Sequence, residues 1–239
     1  MILILHQNSK NMFIILIAFF IIGMVVQNRL QSKFRKYGEV SLQNGLSGKE
    51  IAEKMLYDNG IMDVQVISTP GRLTDHYNPA DKTVNLSEAV YHERSVAAAA
   101  VAAHEVGHAV QHAKGYSMLQ FRSAMVPLVS FSSRALGIIF ILSWIGAGFL
   151  HLFPTDLVFT IVVLMQAAIT LFSLVTLPVE YDASNRALAW LEQTGTLARS
   201  EHDMAKDALN GAANTYLVAA LASITQLLYY LSIFSGGDD

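Results

Sequence analysis

The chain has 239 residues, a formal net charge of −3 and a sequence pI of about 6.2, so it carries no large positive field that would attract nucleic acid. Its hydrophobic content of 53% and mean hydropathy of +0.39 are too high for an ordinary soluble protein and indicate a membrane protein. There is no cysteine, which excludes disulfides, thiolate catalysis and cysteine-bound zinc, so any metal must be held by imidazole and carboxylate groups.

Four apolar segments have about the length needed to cross a membrane. The first, residues 12–26, is followed rather than preceded by a basic cluster and has no small-residue cleavage site, so it predicts an uncleaved anchor and not a signal peptide. Residues 135–153 and 157–179 are separated by a short polar break and predict a transmembrane hairpin. Residues 216–234 contain polar side chains but no charge, and predict a fourth helix that spans the membrane or packs against the others.

The basic residues predict the orientation of the chain. Fifteen of the sixteen Lys and Arg residues lie in or beside residues 27–134 and 180–215, and Lys10 is the exception. By the positive-inside rule both segments face the cytoplasm. Chemically active residues in the two segments are therefore expected on the same side of the membrane.

The polar stretch between the first two apolar segments predicts a mixture of helices and strands. Ser47 and Glu50 have the spacing of a capping box and predict the start of a short amphipathic helix. Residues 64–86 predict two or three short strands with a hairpin, whose edge is a candidate for holding an extended peptide. From the predicted N-cap Ser95 onward, residues 96–114 are rich in alanine and predict a long helix.

The alanine-rich helix contains residues 104–108, which read H-E-V-G-H and match the H-E-x-x-H motif. Because His104 and His108 are four residues apart, they face the same side of the helix and both imidazoles can bind one zinc ion. Glu105 lies about 100° further round, where it can take a proton from metal-bound water without binding the metal. The motif therefore predicts a catalytic zinc site, and a pair of surface histidines on an amphipathic helix is the alternative.

A catalytic zinc usually has three protein ligands and one open position, so a third ligand is needed. Pro178 is expected to begin a new helix or to kink one, and Glu180 on that helix shares a face with small and apolar residues. Asp182 instead shares a face with Arg186 and is expected to pair with it near the surface. Glu180 is therefore preferred to Asp182 as the ligand, and a carboxylate that serves only the helix dipole is the alternative for either.

Two further histidines are candidates for a role beside the metal. His112 lies one turn beyond His108, but three histidines spaced by four on one straight helix do not converge easily on one tetrahedral ion. His112 is therefore expected to support a ligand or to lie at the surface. His76, beside a predicted strand edge, is a candidate for contact with substrate or for polarising the oxyanion, and an exposed hairpin residue is the alternative.

Three separated motifs resemble the YugP-type neutral zinc metallopeptidases, a group of bacterial membrane proteases. The motifs are residues 71–79, which read G-R-L-T-D-H-Y-N-P, residues 102–112, which read A-A-H-E-V-G-H-A-V-Q-H, and residues 178–184, which read P-V-E-Y-D-A-S. The resemblance covers nearly the whole chain, including the order of the spans.

This resemblance implies a gluzincin-like zinc site. His104, His108 and Glu180 would bind the metal, and Glu105 would be the base. The region around Glu180 is also similar to the E-Y-x-A-D segment of HtpX-type membrane proteases, whose aspartate supports the site. Ser184 stands at that aspartate position, where it can form a hydrogen bond but carries no charge, so it is a candidate for supporting a ligand histidine.

Together the patterns predict an α-helical membrane protein with about four transmembrane helices and an α+β, gluzincin-like zinc-peptidase core. A small hairpin or sheet is expected beside the H-E-x-x-H helix. The predicted divisions are an anchor (1–28), the cytoplasmic part of the core (29–124), a transmembrane hairpin (125–179), a cytoplasmic helical segment with the third ligand (180–215), and a fourth transmembrane helix with a short tail (216–239).

The predicted function is that of a zinc-dependent endopeptidase in the bacterial inner (plasma) membrane, with its active site facing the cytoplasm. It would use one Zn²⁺ per chain and act on polypeptides. Because the enzyme would lie in the membrane, membrane proteins are among the candidate substrates. A catalytically inactive zinc-binding membrane protein with a structural or regulatory role is the alternative. A transporter or channel is disfavoured because the predicted spans contain almost no ionisable residue to mark a path.

Overall fold

The structure is a computed structural model that describes residues 2–145 and 154–235, with side chains over residues 14–142 and 154–233. Residues 146–153 of the second predicted span lie outside the described residues. The described chain forms seven helices and three strands: α1 (Ile2–Gly38), α2 (Gly48–Asp58), β1 (Gln65–Thr69), β2 (His76–Asn78), β3 (Thr83–Ser87), α3 (Glu88–His92), α4 (Val96–Ala113), α5 (Ser117–Ile145), α6 (Thr155–Gln193) and α7 (Arg199–Ser235).

Four of these helices are long and apolar enough to cross a membrane. The qualifying parts are Ile14–Gly38 of α1, Ser117–Leu142 of α5, Thr155–Gln193 of α6 and Arg199–Ile233 of α7. The predictions of a mostly helical chain with four candidate membrane-spanning helices and a small sheet are thus confirmed.

Helices α5 and α7 begin well before the apolar segments that predicted them. The second predicted span starts at residue 135 and the fourth at residue 216, whereas α5 begins at Ser117 and α7 at Arg199. A charged side chain interrupts an apolar run but does not end a helix, because Arg, Lys and Glu are good helix formers. Hydropathy therefore located the apolar parts of these helices and not their first turns.

Helix α6 continues through Pro178, so this proline does not begin a new helix, and the alternative expectation of a kink within a helix stays a prediction. A proline inside a helix removes one backbone hydrogen bond, but membrane helices tolerate this where neighbouring groups satisfy the freed carbonyl. As a result, one continuous helix carries both the third apolar segment and the predicted ligand Glu180.

The chain divides into two compact units. The first comprises Met1–Met24, Phe121–Leu177 and Tyr216–Asp239, and the second comprises Val25–Gln120 and Pro178–Thr215. In the first unit, Gln166 and Thr170 of α6 both donate hydrogen bonds to the backbone carbonyl of Ser223 in α7, at 3.3 and 3.1 Å. Polar contacts of this kind hold helices together where apolar surroundings provide little drive for association.

The second unit has a core formed by α2, α4 and the sheet. Ile51 and Met55 of α2, Leu86 of β3 and Val106 of α4 are almost completely buried in it. Most of α4 is buried, and its many alanines have no long side chains that would keep neighbouring elements apart. The helix that bears the H-E-x-x-H motif is therefore held on several sides.

The start of α2 has the predicted capping box. The backbone N–H of Glu50 donates to Ser47 Oγ at 3.3 Å, and the backbone N–H of Ser47 donates to Glu50 Oε2 at 2.7 Å. These two bonds satisfy backbone groups that a helix start leaves unpaired.

The three strands form a sheet in the order β1-β3-β2. Strand β2 pairs antiparallel with β3 as the predicted hairpin, with Tyr77 opposite Val84. Strand β1 pairs parallel with the other side of β3. Thus β3 is central, and β1 and β2 are the two edges of the sheet.

Candidate metal centre

The two motif histidines lie from the middle of α4 onward. Ser95 caps this helix as predicted, because its side chain accepts a hydrogen bond from the backbone N–H of Ala98 at 3.2 Å. Since α4 is regular through His104 and His108, their rings lie on one face, with centroids 4.8 Å apart and planes at 83°. Their side chains are only 12% and 10% exposed, so this face is directed into the protein.

Glu180 of α6 meets both histidines. Its Oε2 atom lies 3.3 Å from Nε2 of His104 and 3.7 Å from Nε2 of His108. The Glu180 side chain is 3% exposed, and a carboxylate that is buried to this degree needs a cation or hydrogen-bond donors to compensate its lost hydration. The two imidazoles, or a metal ion between the three groups, can provide that compensation.

The close approach of α6 to α4 depends on a glycine between the two histidines. A Cβ atom at Gly107 would lie only 2.5 Å from the backbone carbonyl oxygen of Ala183. Ala183 is less than one turn beyond Glu180 on α6, so this contact controls how near the carboxylate comes to His104 and His108. Any side chain at position 107 would move the two helices apart.

The three donor atoms fit a zinc ion. Donors that are each about 2.0–2.2 Å from a tetrahedral zinc lie roughly 3.3–3.5 Å from one another. The distances from Glu180 to the two imidazoles are close to this range, and all three donor atoms lie within 4.8 Å of one another. Two imidazoles and one carboxylate are also a ligand set that catalytic zinc sites use, with the fourth position left open.

Glu105 lies next to this group on α4 and is not one of the three clustered donors. It is only 8% exposed. Burial raises the pKa of the Glu105 carboxyl above its ordinary value, while His104 and His108 act in the opposite direction. A carboxyl with a raised pKa is better suited to exchange protons near neutral pH.

Burial by itself lowers the pKa of His108, but the hydrogen bond and the negative charge of Glu180 outweigh it, so the pKa is raised. The carboxylate thus favours positive charge at the position of the imidazole. A bound cation satisfies the same preference.

The other ring nitrogen of each motif histidine also has a hydrogen-bond partner. Ser184 Oγ lies 3.1 Å from Nδ1 of His104, and Gln111 Oε1 lies 3.0 Å from Nδ1 of His108. Ser184 is thus placed where the sequence made it a candidate. Gln111 was not a candidate, although its position three residues after His108 on the same helical face could have suggested it.

Asp182, the competing candidate for third ligand, lies away from the three donor atoms. It accepts hydrogen bonds from Arg186 Nε at 2.5 Å and Arg186 Nη2 at 3.3 Å, which is the pair that the sequence predicted. The sequence did not predict that Asp182 also accepts from Gln111 Nε2 at 2.7 Å.

Strand β2 contains His76, and its Tyr77 contacts His112 of α4. Burial and the charge of Asp63 raise the pKa of Tyr77, so its phenol stays protonated and can donate to His112 Nδ1, 2.7 Å away. His112 therefore joins α4 to β2 and does not bond either motif histidine through this nitrogen. His76 is exposed, and its Nδ1 lies 2.8 Å from the carbonyl oxygen of Thr74.

The fold and the clustered donors define the class of protein. Residues 12–235 match the family described as "Putative neutral zinc metallopeptidase". Because this match covers nearly the whole chain, the chain belongs to that family of zinc metallopeptidases. The predicted family and the predicted zinc cofactor are therefore confirmed.

A curated relative narrows this class. The chain is 39% identical over 213 residues to the "Putative membrane protease YugP" of Bacillus subtilis (strain 168), which covers 89% of this chain and 92% of the relative. That relative is described as a membrane protease, which agrees with the four apolar helices found here. No solved structure matches the chain.

Proposed function

We propose that this protein is a zinc-dependent membrane endopeptidase in which His104, His108 and Glu180 hold one zinc ion per chain and Glu105 is the catalytic base. The proposal rests on the convergence of the His104 and His108 imidazole nitrogens with a buried carboxylate oxygen of Glu180. A second buried carboxyl group, that of Glu105, lies beside them on the helix that carries the two histidines. A metal site that served only the fold would not need the second carboxyl.

Zinc, when bound, would polarise the scissile carbonyl and lower the pKa of water at its open position. The Glu105 carboxylate takes the proton from the attacking water and delivers it to the leaving amine, so one side chain acts as base and then as acid. Its low exposure keeps bulk water from competing for that proton.

The substrate would bind as an extended strand along the outer edge of β2. This strand is an edge of the sheet, and its Tyr77 is tied to α4 through His112, one turn beyond the ligand His108. Pairing with a strand edge uses the peptide groups of the substrate and reads few of its side chains. The Nδ1–H group of exposed His76 donates to the carbonyl oxygen of Thr74, so its Nε2 atom would contact the substrate by accepting a hydrogen bond from a peptide N–H.

The arrangement supports a gluzincin-like core, in which a late helix supplies a glutamate to an H-E-x-x-H pair. We place residues 29–124 and 180–215 on the cytoplasmic face of the plasma membrane, where the active site would act. Residues 1–28, 125–179 and 216–239 would contain the membrane-spanning parts. The distribution of basic residues supports this division, as do the bounds of the second compact unit.

The test is metal analysis of the purified full chain together with a peptidase assay of wild type and Glu105→Gln. The variant should bind zinc as wild type does and lose turnover by about two to four orders of magnitude, because it lacks a proton acceptor. Glu192→Gln, at an exposed position of α6, is the matched control and should keep full activity. If Glu105→Gln cleaves peptide as fast as wild type, the proposed mechanism is wrong.

A further inference from the structure

Gln111 is a completely buried polar side chain about one turn beyond His108, the second histidine of the motif. It is 0% exposed, yet it makes three hydrogen-bond contacts. Its Oε1 atom lies 3.0 Å from His108 Nδ1, and its Nε2 atom donates to the backbone carbonyl of Val179 at 2.8 Å and to Asp182 Oδ2 at 2.7 Å. A buried amide costs free energy unless all its polar groups are satisfied, and here they are.

The two partners on α6 determine which way this amide faces. A backbone carbonyl can only accept a hydrogen bond, and so can a carboxylate that is itself paired with a guanidinium, as Asp182 is with Arg186. Therefore the NH₂ group of Gln111 must point toward α6 and its carbonyl oxygen must point toward His108. The reverse orientation would set an oxygen against two oxygens.

The orientation of the amide in turn determines the tautomer of His108. Because Gln111 presents an acceptor to Nδ1, the imidazole keeps its hydrogen on Nδ1 and has its lone pair on Nε2. Nε2 is the atom that faces Glu180. The His108 ring is thus held with Nε2 directed at the site, and this nitrogen supplies the lone pair when zinc takes the place of a proton there.

We propose that Gln111 is a positioning residue that fixes the tautomer of His108 for zinc, and that Asp182 acts on the metal site through it. This inference rests on the zinc site of the proposed function. Ser184 beside His104 has no such directing effect, because a hydroxyl can either donate or accept. The two ligand histidines are therefore supported differently. His108 is held by a series of hydrogen bonds with fixed direction that runs from Arg186 through Asp182 and Gln111, whereas His104 contacts a hydroxyl group that can donate or accept.

The first experiment measures zinc affinity of the full-length protein in detergent by competition with a chelator of known affinity. Gln111→Met has about the same length and no hydrogen bond, and it should bind zinc about 10–100-fold more weakly than wild type. Asp182→Ala should lose less, because the Val179 carbonyl still orients the amide. Thermal unfolding of the metal-free forms shows whether each variant is folded.

The second experiment exchanges the roles of the two side chains. In Gln111→Glu the carboxylate still accepts from His108 but is repelled by both Asp182 and the carbonyl oxygen of Val179, so zinc affinity should fall at least about tenfold. Adding Asp182→Asn supplies an NH₂ group that can donate to the new carboxylate. This double variant should bind zinc at least about threefold more tightly than Gln111→Glu alone, although the Val179 carbonyl still opposes the carboxylate, and mere filling of space would not give this partial rescue.

The proposal is overturned if folded Gln111→Met binds zinc as tightly as wild type, or if Asp182→Asn fails to rescue Gln111→Glu. These outcomes are distinct from failure of the proposed function. Loss of affinity in Gln111→Met, combined with full peptidase activity in Glu105→Gln, would leave the zinc-positioning role in place and refute the catalytic mechanism. A wild-type chain that binds no zinc would refute both.

Discussion

Gly107→Ala tests whether the approach of α6 to α4 builds the metal site. The new methyl group would lie 2.5 Å from the carbonyl oxygen of Ala183, about 1 Å closer than a comfortable contact of about 3.5 Å. The obstacle is backbone, so neither a rotamer change nor truncation of residue 183 can relieve it. The helices must separate by a large part of that distance.

The expected cost has two parts that differ in size. Overpacking of a buried contact costs about 1–3 kcal/mol, and the better helix propensity of alanine returns about 1 kcal/mol, so the fold loses at most about 2 kcal/mol. Metal binding suffers more, because ligand distances tolerate only about ±0.2 Å and Glu180 would move by several times that amount. Zinc affinity should fall at least tenfold, which is about 1.4 kcal/mol or more.

The assay compares zinc affinity and thermal unfolding of Gly107→Ala with those of Gly137→Ala. Gly137 lies inside α5, and a Cβ atom there would meet nothing within 4 Å, so this control should be neutral or slightly stabilising. If Gly107→Ala is folded and binds zinc within about twofold of wild type, the packing of Gly107 against α6 does not set the position of Glu180.

Three further predictions concern the third ligand, a helix cap and the topology. Removing a residue that only hydrogen-bonds a metal ligand typically weakens metal binding by about 10–100-fold, and Glu180→Ala should weaken zinc binding by more than that. Asp182→Ala should weaken zinc binding by less than about tenfold, and chelator competition measures both effects. The hydrogen bond from the Ser47 backbone N–H, and then that from the Ser47 side chain, hold the pKa of Glu50 below its ordinary value. The stability that these bonds contribute is therefore present above the pKa of Glu50 in the unfolded chain, and it is lost as pH falls through its pKa in the folded chain. Glu50→Gln keeps an acceptor that does not titrate, so its melting temperature should fall less than that of wild type on acidification, and an equal fall would contradict the cap's role. Because the chain has no cysteine, single cysteines at Gly60 and Ser200 can be labelled uniquely, and an impermeant maleimide should reach neither from outside intact cells.

The features that the sequence predicted correctly depend on neighbours along the chain. The Ser95 cap and the alanines after it define α4, and the four-residue spacing of His104 and His108 then places both rings on one face. The proximity of Glu180 could be predicted because helical periodicity separates it from Asp182 by about 200°. That argument needed only a local helix, which α6 provides.

The features that the sequence did not predict depend on contacts between distant segments of the chain. The contact of Gln111 with Asp182 spans 71 residues, and no periodicity in either helix indicates it. The parallel pairing of β1 with β3 is likewise a long-range choice, since only the adjacent β2 and β3 are joined by a turn signal. The sequence also left open whether Pro178 begins a helix or kinks one, because the intrinsic effect of proline opposes a continuous helix and the surroundings of the helix decide the outcome.

The most direct test of the metal site is diffraction from crystals of the full-length chain at the zinc absorption edge. The account predicts one anomalous peak per chain, within about 2.3 Å of Nε2 of His104, Nε2 of His108 and a carboxylate oxygen of Glu180. A peak bound instead by Asp182 or His112, with Glu180 remote from it, would contradict the assignment of the site.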